Sequence, residues 1–189
     1  MAFDEITPEE AEKRRGEFRA IDVRADYEYR GPLGHVRDAM LVPLPELEAR
    51  SKELPRDRPL LLICRSGVRS GKACEQLAAL GIGPVVNLRG GMIAWNRASQ
   101  PVECVQPASL AEFLDQVVRW VAQVSAQTPD AVRKTLGSQL ESLGASANAP
   151  TRAALACVVD SVGSSLTDKG APPDLDLSVA TFRRWLGVL

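Results

Sequence analysis

The stretch that most constrains the fold of this chain is an apolar run, Leu60–Ile63, that ends abruptly in Cys64. An uncharged run of this length is typical of a strand buried on both faces, as in parallel sheets. Beyond the loop 65–69, apolar residues recur at helical spacing from Ala73 to Leu80. The sequence therefore predicts a strand, a tight loop and a helix, with a thiol at the sheet edge where α/β proteins form ligand crevices.

The residues of this loop favour a bound anion or a reactive thiolate. Arg65 and Arg69 bring positive charge, and Gly67 allows backbone conformations that are closed to other residues. Successive backbone N–H groups at a tight turn and a helix start form an anion-binding nest. Cys64 is therefore predicted to be a nucleophile or an anion-binding thiol. The alternative, a buried structural cysteine, would leave two arginines beside a core thiol with no anion to hold.

Four segments of the sequence, in this order, resemble the rhodanese (sulfurtransferase) family. They are Ile21–Arg24, Gly34–Val36, the active loop Cys64–Ser70, and Asn87–Trp95. The resemblance covers about the first hundred residues of the chain. The family pattern Gly-His-Ile-Pro-Gly-Ala is not kept after Val36, because Arg37 and Asp38 stand where it has proline and glycine. This departure leaves the shape of the local loop open and does not change the expected fold.

The resemblance implies an α/β fold with a rhodanese-like parallel sheet flanked by helices. It also implies a sulfurtransferase in which Cys64 carries sulfur as a persulfide. The donor would be a small anion such as thiosulfate, and the acceptor would be cyanide or a thiol, including a thiol of another protein. No cofactor or metal is implied. The substrate-binding residues would be Arg65, Ser66, Gly67, Val68, Arg69, Ser70, Asp22 and Arg24.

Asp22 has two predicted roles. Asp22 and Arg24 end a predicted strand, Phe18–Val23, on the same sheet edge as the active loop if the strands are parallel. The resemblance implies that Asp22 helps to hold the loop or its arginines. The alternative is that it caps the short predicted helix Asp26–Arg30. His35, the only histidine, has a structural role in the family, so it is not predicted to be a general base.

The rest of the first hundred residues alternates strands with helices, as βαβ units do. Further strands are predicted at Met40–Val42 and Pro84–Leu88, and helices from Thr7-Pro8, over Pro45–Leu54, from Ser70 to Leu80 and over Met92–Arg97. The stretch Ser99–Ser109 carries two prolines and no helical pattern, which predicts an edge segment and then a linker. We therefore expect a rhodanese-like domain over 1–104 and a helical domain over 105–189.

The second half of the chain is predicted to be an all-α C-terminal helical bundle. Apolar faces at helical spacing begin near Leu110, Thr128 and Pro150, and Ser178 is predicted to cap a last helix after the loop Asp168–Pro173. This region resembles no family. Its apolar faces leave three roles open: packing on the sheet domain, a homodimer contact, or a cover for the active loop.

The composition of the chain indicates which partners and which cellular compartment to expect. The 23 basic and 24 acidic residues nearly cancel, so nucleic acid is not a predicted partner, and no apolar run is long enough for a membrane. The N-terminus, 1–5, has no apolar segment typical of a signal peptide. The four cysteines (Cys64, Cys74, Cys104 and Cys157) form no Cys-x-x-Cys pair, so no zinc site is predicted. A reduced, cytoplasmic protein is expected, with Cys74 packed in a helix. Cys104 is either incidental, a sulfur relay for Cys64 or its disulfide partner.

Two other functions compete with sulfur transfer. Phosphatases and arsenate reductases on the same fold resemble this chain in having a cysteine loop closed by arginine, but theirs is one residue longer than Cys64–Arg69. The shorter spacing from Cys64 to Arg69 favours sulfur transfer over phosphate or arsenate chemistry. The second competitor is a non-catalytic, rhodanese-type binding or regulatory module. Such modules often lack the cysteine, whereas Cys64 and both loop arginines are present here.

Overall fold

The protein has two compact units, one ending at Cys104 and one beginning at Val105. The computed structural model describes residues 3–168 and 170–189. Residues 1–2, in the N-terminal stretch without signal-peptide features, and Lys169, in the predicted loop Asp168–Pro173, lie outside the described residues.

The first unit contains a five-stranded sheet in which every pairing is parallel. Its strands are β1 (Asp4–Ile6), β2 (Arg19–Asp22), β3 (Met40–Leu41), β4 (Leu60–Ile63) and β5 (Val85–Leu88). The strand order is β1-β5-β4-β2-β3, which makes β4 the central strand. The predicted parallel α/β fold is confirmed.

Four short helices flank this sheet. They are α1 (Pro8–Lys13), α2 (Asp26–Tyr29), α3 (Val68–Ala79) and α4 (Gly91–Arg97). Helix α1 begins as the sequence predicts, because the Thr7 hydroxyl accepts a hydrogen bond from the backbone N–H of Glu10 at 3.3 Å and Pro8 occupies the first turn.

Strand β4 lies in the centre because it buries both of its faces. All four of its residues are at most 2% exposed. Leu60, Leu62 and Cys64 belong to one apolar cluster with Ala73 and Leu77 of α3. Alternation along a strand turns the intervening residues to the opposite face. An all-apolar strand of this kind is stable only between two layers of helices, and its end is thereby held in a fixed position.

One predicted helix is absent. The segment Pro45–Leu54 forms two 3₁₀ turns, Leu44–Glu46 and Ser51–Glu53, instead of one α-helix. Pro45 has no N–H to donate, and the proline that follows Leu54 requires an extended residue before it, which Leu54 adopts at ψ 135°. The helical spacing of its leucines reflects burial, since Leu47 and Leu54 both pack into the core.

The second unit is the predicted helical bundle. Its helices are α5 (Leu110–Ser125), α6 (Pro129–Ser142), α7 (Arg152–Asp168) and α8 (Leu175–Val188). The Phe182 ring of α8 makes edge-on contacts with Phe113, Trp120 and Trp185, which form the aromatic centre of the unit. The prediction that Ser178 caps the last helix is wrong, because α8 begins three residues earlier and buries Ser178.

Within residues 3–168 and 170–189, no helix is both long enough and apolar enough to cross a lipid bilayer.

Candidate active site

Cys64 lies where β4 ends, and its side chain faces into the active loop. The residue is 1% exposed. Its Sγ accepts a hydrogen bond from the backbone N–H of Gly67 at 3.1 Å and another from the hydroxyl of Ser70 at 3.3 Å. Both donors favour negative charge on the sulfur, because hydrogen bonds to a charged group are stronger than those to a neutral one. The sulfur is therefore held by two hydrogen-bond donors at the end of the central strand.

The loop geometry depends on Gly67. This residue has φ +90° and immediately precedes the first residue of α3, so the chain turns directly from the loop into the helix. A side chain there would be strained, and its Cβ would lie 3.0 Å from the backbone nitrogen of Gly90. The first N–H groups of α3 have no partner within the helix, and the positive end of its dipole begins at this loop.

A second helix start fixes the loop from the other side. The backbone N–H of Met92 donates to the Cys64 carbonyl at 2.9 Å, and that of Ile93 donates to the Arg65 carbonyl at 3.0 Å. Gly91, with φ +56°, lets the two segments meet, because a Cβ there would lie 2.3 Å from the Cys64 carbonyl oxygen. The turn at Gly90 and Gly91, where α4 begins, thus helps to hold the active loop in place.

We expect Gly91→Ala to destabilise the sheet unit by about 2–4 kcal/mol, because it adds a steric clash to a left-handed backbone. The matched control is Gly81→Ala, since Gly81 has φ +69° but nothing within 4 Å of its would-be Cβ. The control should cost only the backbone strain, about 1–2 kcal/mol. Urea unfolding of both variants measures the difference. Equal decreases in the free energy of unfolding of the two variants would show that the close approach at Gly91 does not contribute to stability.

Arg69 is clamped by an acid that the sequence analysis did not identify. Its Nη1 and Nη2 atoms each lie 2.6 Å from a carboxylate oxygen of Glu28, which is in α2. Glu28 is buried, and this contact raises the pKa of Arg69. A bidentate pair fixes the orientation of a guanidinium as well as balancing its charge. Arg69 is therefore a positioned, charge-compensated arginine rather than an open cation.

Replacing Glu28 by glutamine should lower the free energy of unfolding by about 1 kcal/mol, a value discounted because Arg69 is one-third exposed. For a unit of this size the melting midpoint would fall by about 4–8 °C. Glu10→Gln is the matched control, because Glu10 pairs with Arg14 at 3.0 Å on the open surface. Thermal unfolding followed by circular dichroism should show little change in that control. A similar shift in both variants would contradict a structural clamp.

Asp22 and Arg24 form a buried ion pair at the carboxyl end of β2. The Asp22 carboxylate accepts hydrogen bonds from Arg24 Nε and Nη2, and both side chains are at most 1% exposed. Arg24 also donates to the carbonyl oxygens of Glu28 and Gly34. Both side chains are almost fully buried in this pair, and their role as substrate-binding residues stays a prediction. The capping alternative for Asp22 is wrong, since Ala25 occupies the cap of α2.

The other predicted site residues belong to the loop itself. Ser66 is exposed, Arg65 is half-buried, and Val68 is 65% exposed at the start of α3. The structure thus brings Cys64, Gly67 and Ser70 together through hydrogen bonds. Glu28 was missed because it lies 41 residues from Arg69 in the chain.

The remaining cysteines and the histidine lie in other environments. Burial raises the pKa of Cys74 to about 12, so this thiol packs in the core as predicted and is not a thiolate. Cys157 is exposed in α7 of the second unit. His35 stacks on Tyr29 with ring centroids 3.8 Å apart and forms a backbone bridge with Glu103. His35 is thus packed against its neighbours, as its structural interpretation predicts.

The fold and the site define a class of protein: a parallel α/β domain with a cysteine-based anion loop at the carboxyl end of its central strand. The chain belongs to the rhodanese-like family. The family model "Rhodanese-like domain" matches residues 7–98 and ends before the helical unit.

Individual relatives agree with this placement. A protein of Allochromatium vinosum named Sulfurtransferase is 42% identical over 82 residues, which are 43% of this chain and 75% of that protein. A putative sulfurtransferase of Bacillus subtilis, YtwF, is 34% identical over 85 residues, or 45% and 80% of the two chains. A rhodanese-related protein from Thermoplasma volcanium superposes with a TM-score of 0.51 at 28% identity, over 55% of this chain and all of the other.

Proposed function

We propose that this protein moves sulfane sulfur from a small anionic donor such as thiosulfate to a thiophilic acceptor, through a persulfide on Cys64. The observation that carries the proposal is the Cys64 sulfur, which accepts hydrogen bonds from Gly67 and Ser70 at the end of the central strand. The sulfurtransferase names of two relatives support the same chemistry. We propose the active-loop residues Cys64–Ser70 as the site.

The first step is a displacement at sulfur. The Cys64 thiolate attacks the outer sulfur of thiosulfate, a new S–S bond forms, and the old S–S bond breaks. Sulfite leaves with the bonding electron pair, so the enzyme is left with a persulfide anion and no proton is transferred. The terminal sulfur of the persulfide can accept hydrogen bonds from the N–H groups of the loop and of the first turn of α3. These donors stabilise its negative charge, as an oxyanion hole stabilises an oxyanion.

The second step returns the enzyme to its starting state. Cyanide, or a thiolate in the cell, attacks the outer sulfur of the persulfide. The Cys64 thiolate leaves, and thiocyanate or an acceptor persulfide is released. Neither step needs a general acid, which agrees with the position of His35, stacked on Tyr29 and hydrogen-bonded through its backbone to Glu103.

The loop arginines have different parts in this proposal. Arg65 supplies positive charge near the entry of the donor. Arg69, held by Glu28 at 2.6 Å, keeps the first turn of α3 in place and adds less net charge. We further propose that the protein acts in the reducing cytoplasm, because all four cysteines are free thiols.

Steady-state kinetics with thiosulfate and cyanide test the proposal. A covalent intermediate predicts a ping-pong pattern, in which double-reciprocal lines at different cyanide concentrations are parallel. The same preparation should not hydrolyse p-nitrophenyl phosphate. Absence of thiocyanate with every donor tried would contradict a sulfurtransferase, and phosphate release would favour the phosphatase alternative.

A further inference from the structure

A cavity of about 240 Å³ lies in the first unit, away from the active loop. Its lining includes residues at the amino ends of two strands, since Arg19 begins β2 and Arg58 precedes β4. The active loop follows the carboxyl end of β4. Leu61, which lines the cavity, is three residues from Cys64, or about 10 Å along a strand. The cavity and the active loop therefore lie toward opposite ends of the strands of one sheet.

The lining of this cavity is strongly basic. Four arginines line it, and a single residue with a carboxylate, Asp38, lines it with them. The arginines are Arg15, Arg19, Arg37 and Arg58, and we call the site the arginine cavity. Guanidinium groups bind phosphate and carboxylate oxygens in a bidentate manner. A concave surface with this excess of positive charge concentrates small anions.

The present carboxylate partners of these arginines are exchangeable. Arg19 holds Asp57 through two hydrogen bonds of 3.0 and 2.8 Å, and Arg37 lies 3.3 Å from Glu103. Both carboxylates are nearly half exposed, and ion pairs of this kind contribute at most about 1 kcal/mol. An anion of higher charge can therefore compete for these guanidinium groups.

One segment of the lining is strained. Asp38 has φ +61°, a left-handed conformation that is uncommon for a residue with a side chain. Such strain is concentrated at binding and catalytic sites. Arg37 and Asp38 are also the two positions at which the sequence departs from the family pattern. The departure thus places a charged pair, on a strained backbone, in the lining of the arginine cavity.

The remaining lining is apolar. Phe18, Trp95 and Val36 contribute to it, and each is at most 8% exposed. The Arg58 Nη1 atom donates to the Gly16 carbonyl at 2.8 Å, which fixes this arginine beside the apolar part. A ligand that combines one highly charged group with a small organic part would match both portions of the lining.

We propose that the arginine cavity binds a small phosphorylated molecule, with the phosphoryl group on the guanidinium groups and the organic part against the apolar lining. The volume limits the ligand to a compact metabolite, because it is below that of typical drug-sized pockets, about 300–1,000 Å³. This site is independent of Cys64 and of sulfur transfer.

Titration calorimetry with inorganic pyrophosphate, at low salt and on the full chain, tests this proposal. We expect saturable binding to the wild type that is weakened about tenfold or more by Arg15→Ala/Arg37→Ala, because two charged contacts are lost. Arg119→Ala/Arg183→Ala is the matched control. It removes two exposed arginines of the helical unit that pair with Asp115 and Asp160. Its affinity should change less than twofold.

A further variant distinguishes the arginine cavity from the active loop. Arg65→Ala should leave pyrophosphate affinity unchanged, whereas an anion held by the loop would be lost in this variant. Thermal unfolding checks that each variant is folded. If Arg15→Ala/Arg37→Ala is not folded, the single variant Arg37→Gln replaces it in the titration. No saturable binding to the wild type, equal weakening in the control, or loss of binding in Arg65→Ala would each overturn the proposal.

Discussion

Replacing Cys64 by serine is expected to lower thiocyanate formation by at least about a thousandfold, as loss of a covalent nucleophile does in other enzymes. Serine has nearly the same size, and its hydroxyl can still accept the Gly67 N–H and meet the Ser70 hydroxyl, which now contact the sulfur. The fold should therefore remain. The measurement is turnover with thiosulfate and cyanide, with a circular dichroism spectrum and a urea unfolding curve for each variant.

The control for this experiment is Cys157→Ser. Cys157 is exposed in α7 of the helical unit, so its replacement changes the thiol count and leaves every residue of the active loop as it is. It should retain wild-type turnover. Loss of turnover in both variants would contradict the assignment of Cys64 as the single nucleophile, and so would residual turnover of Cys64→Ser above a few per cent.

The largest expected loss of stability follows from Arg24→Met. This arginine joins the end of β2 to α2 and to the turn at Gly34, through hydrogen bonds of 2.7–3.0 Å. Without it, the fully buried Asp22 carboxylate loses its charged partner. Breaking a buried ion pair from one side costs about 3–5 kcal/mol. We expect that decrease in the free energy of unfolding, measured with urea at neutral pH.

A double variant separates lost packing from the unpaired charge. Asp22→Asn/Arg24→Met removes both charges, so it should recover part of the loss seen in Arg24→Met. If the double variant is no more stable than Arg24→Met, the unpaired carboxylate is not the cause of the loss. In that case the hydrogen bonds from Arg24 to the backbone would carry the stability.

The central part of the fold is predictable because its signals are local. An apolar strand, a glycine and a helix start occupy about twenty consecutive residues, and the structure has β4, the active loop and α3 in those places. The loop backbone also follows from local chemistry, since Gly67 supplies the left-handed turn. The same is true of the helices of the second unit, whose apolar residues recur at helical spacing, although the start of α8 was placed too late.

Contacts between distant segments could not be predicted in this way. Glu28 reaches Arg69 across 41 positions, and nothing near either residue marks the pair. Strand β1 has three residues, two of them exposed and charged, so it has no apolar pattern. It forms because β5 pairs with β4 on one side only, and its other side has backbone groups that β1 can pair with. The segment Pro45–Leu54 misled the prediction, because leucines that point into a core recur at similar spacing in 3₁₀ turns.

The arginine cavity illustrates the same limit. Its arginines come from the 3₁₀ turn after α1, the start of β2, the loop before β3 and the loop before β4, and only the sheet brings them together. The sequence signal was indirect. Arg37 and Asp38 stood out as departures from the family pattern, without any indication of what they would line.

Mass spectrometry of the protein after incubation with thiosulfate tests the central claim most directly. The proposed persulfide predicts a gain of one sulfur, about 32 Da, on the peptide that contains Cys64, and loss of that gain when cyanide is added. An unchanged mass, or a gain confined to Cys104 or Cys157, would contradict the proposed mechanism. A stable gain that cyanide does not remove would instead favour a binding module.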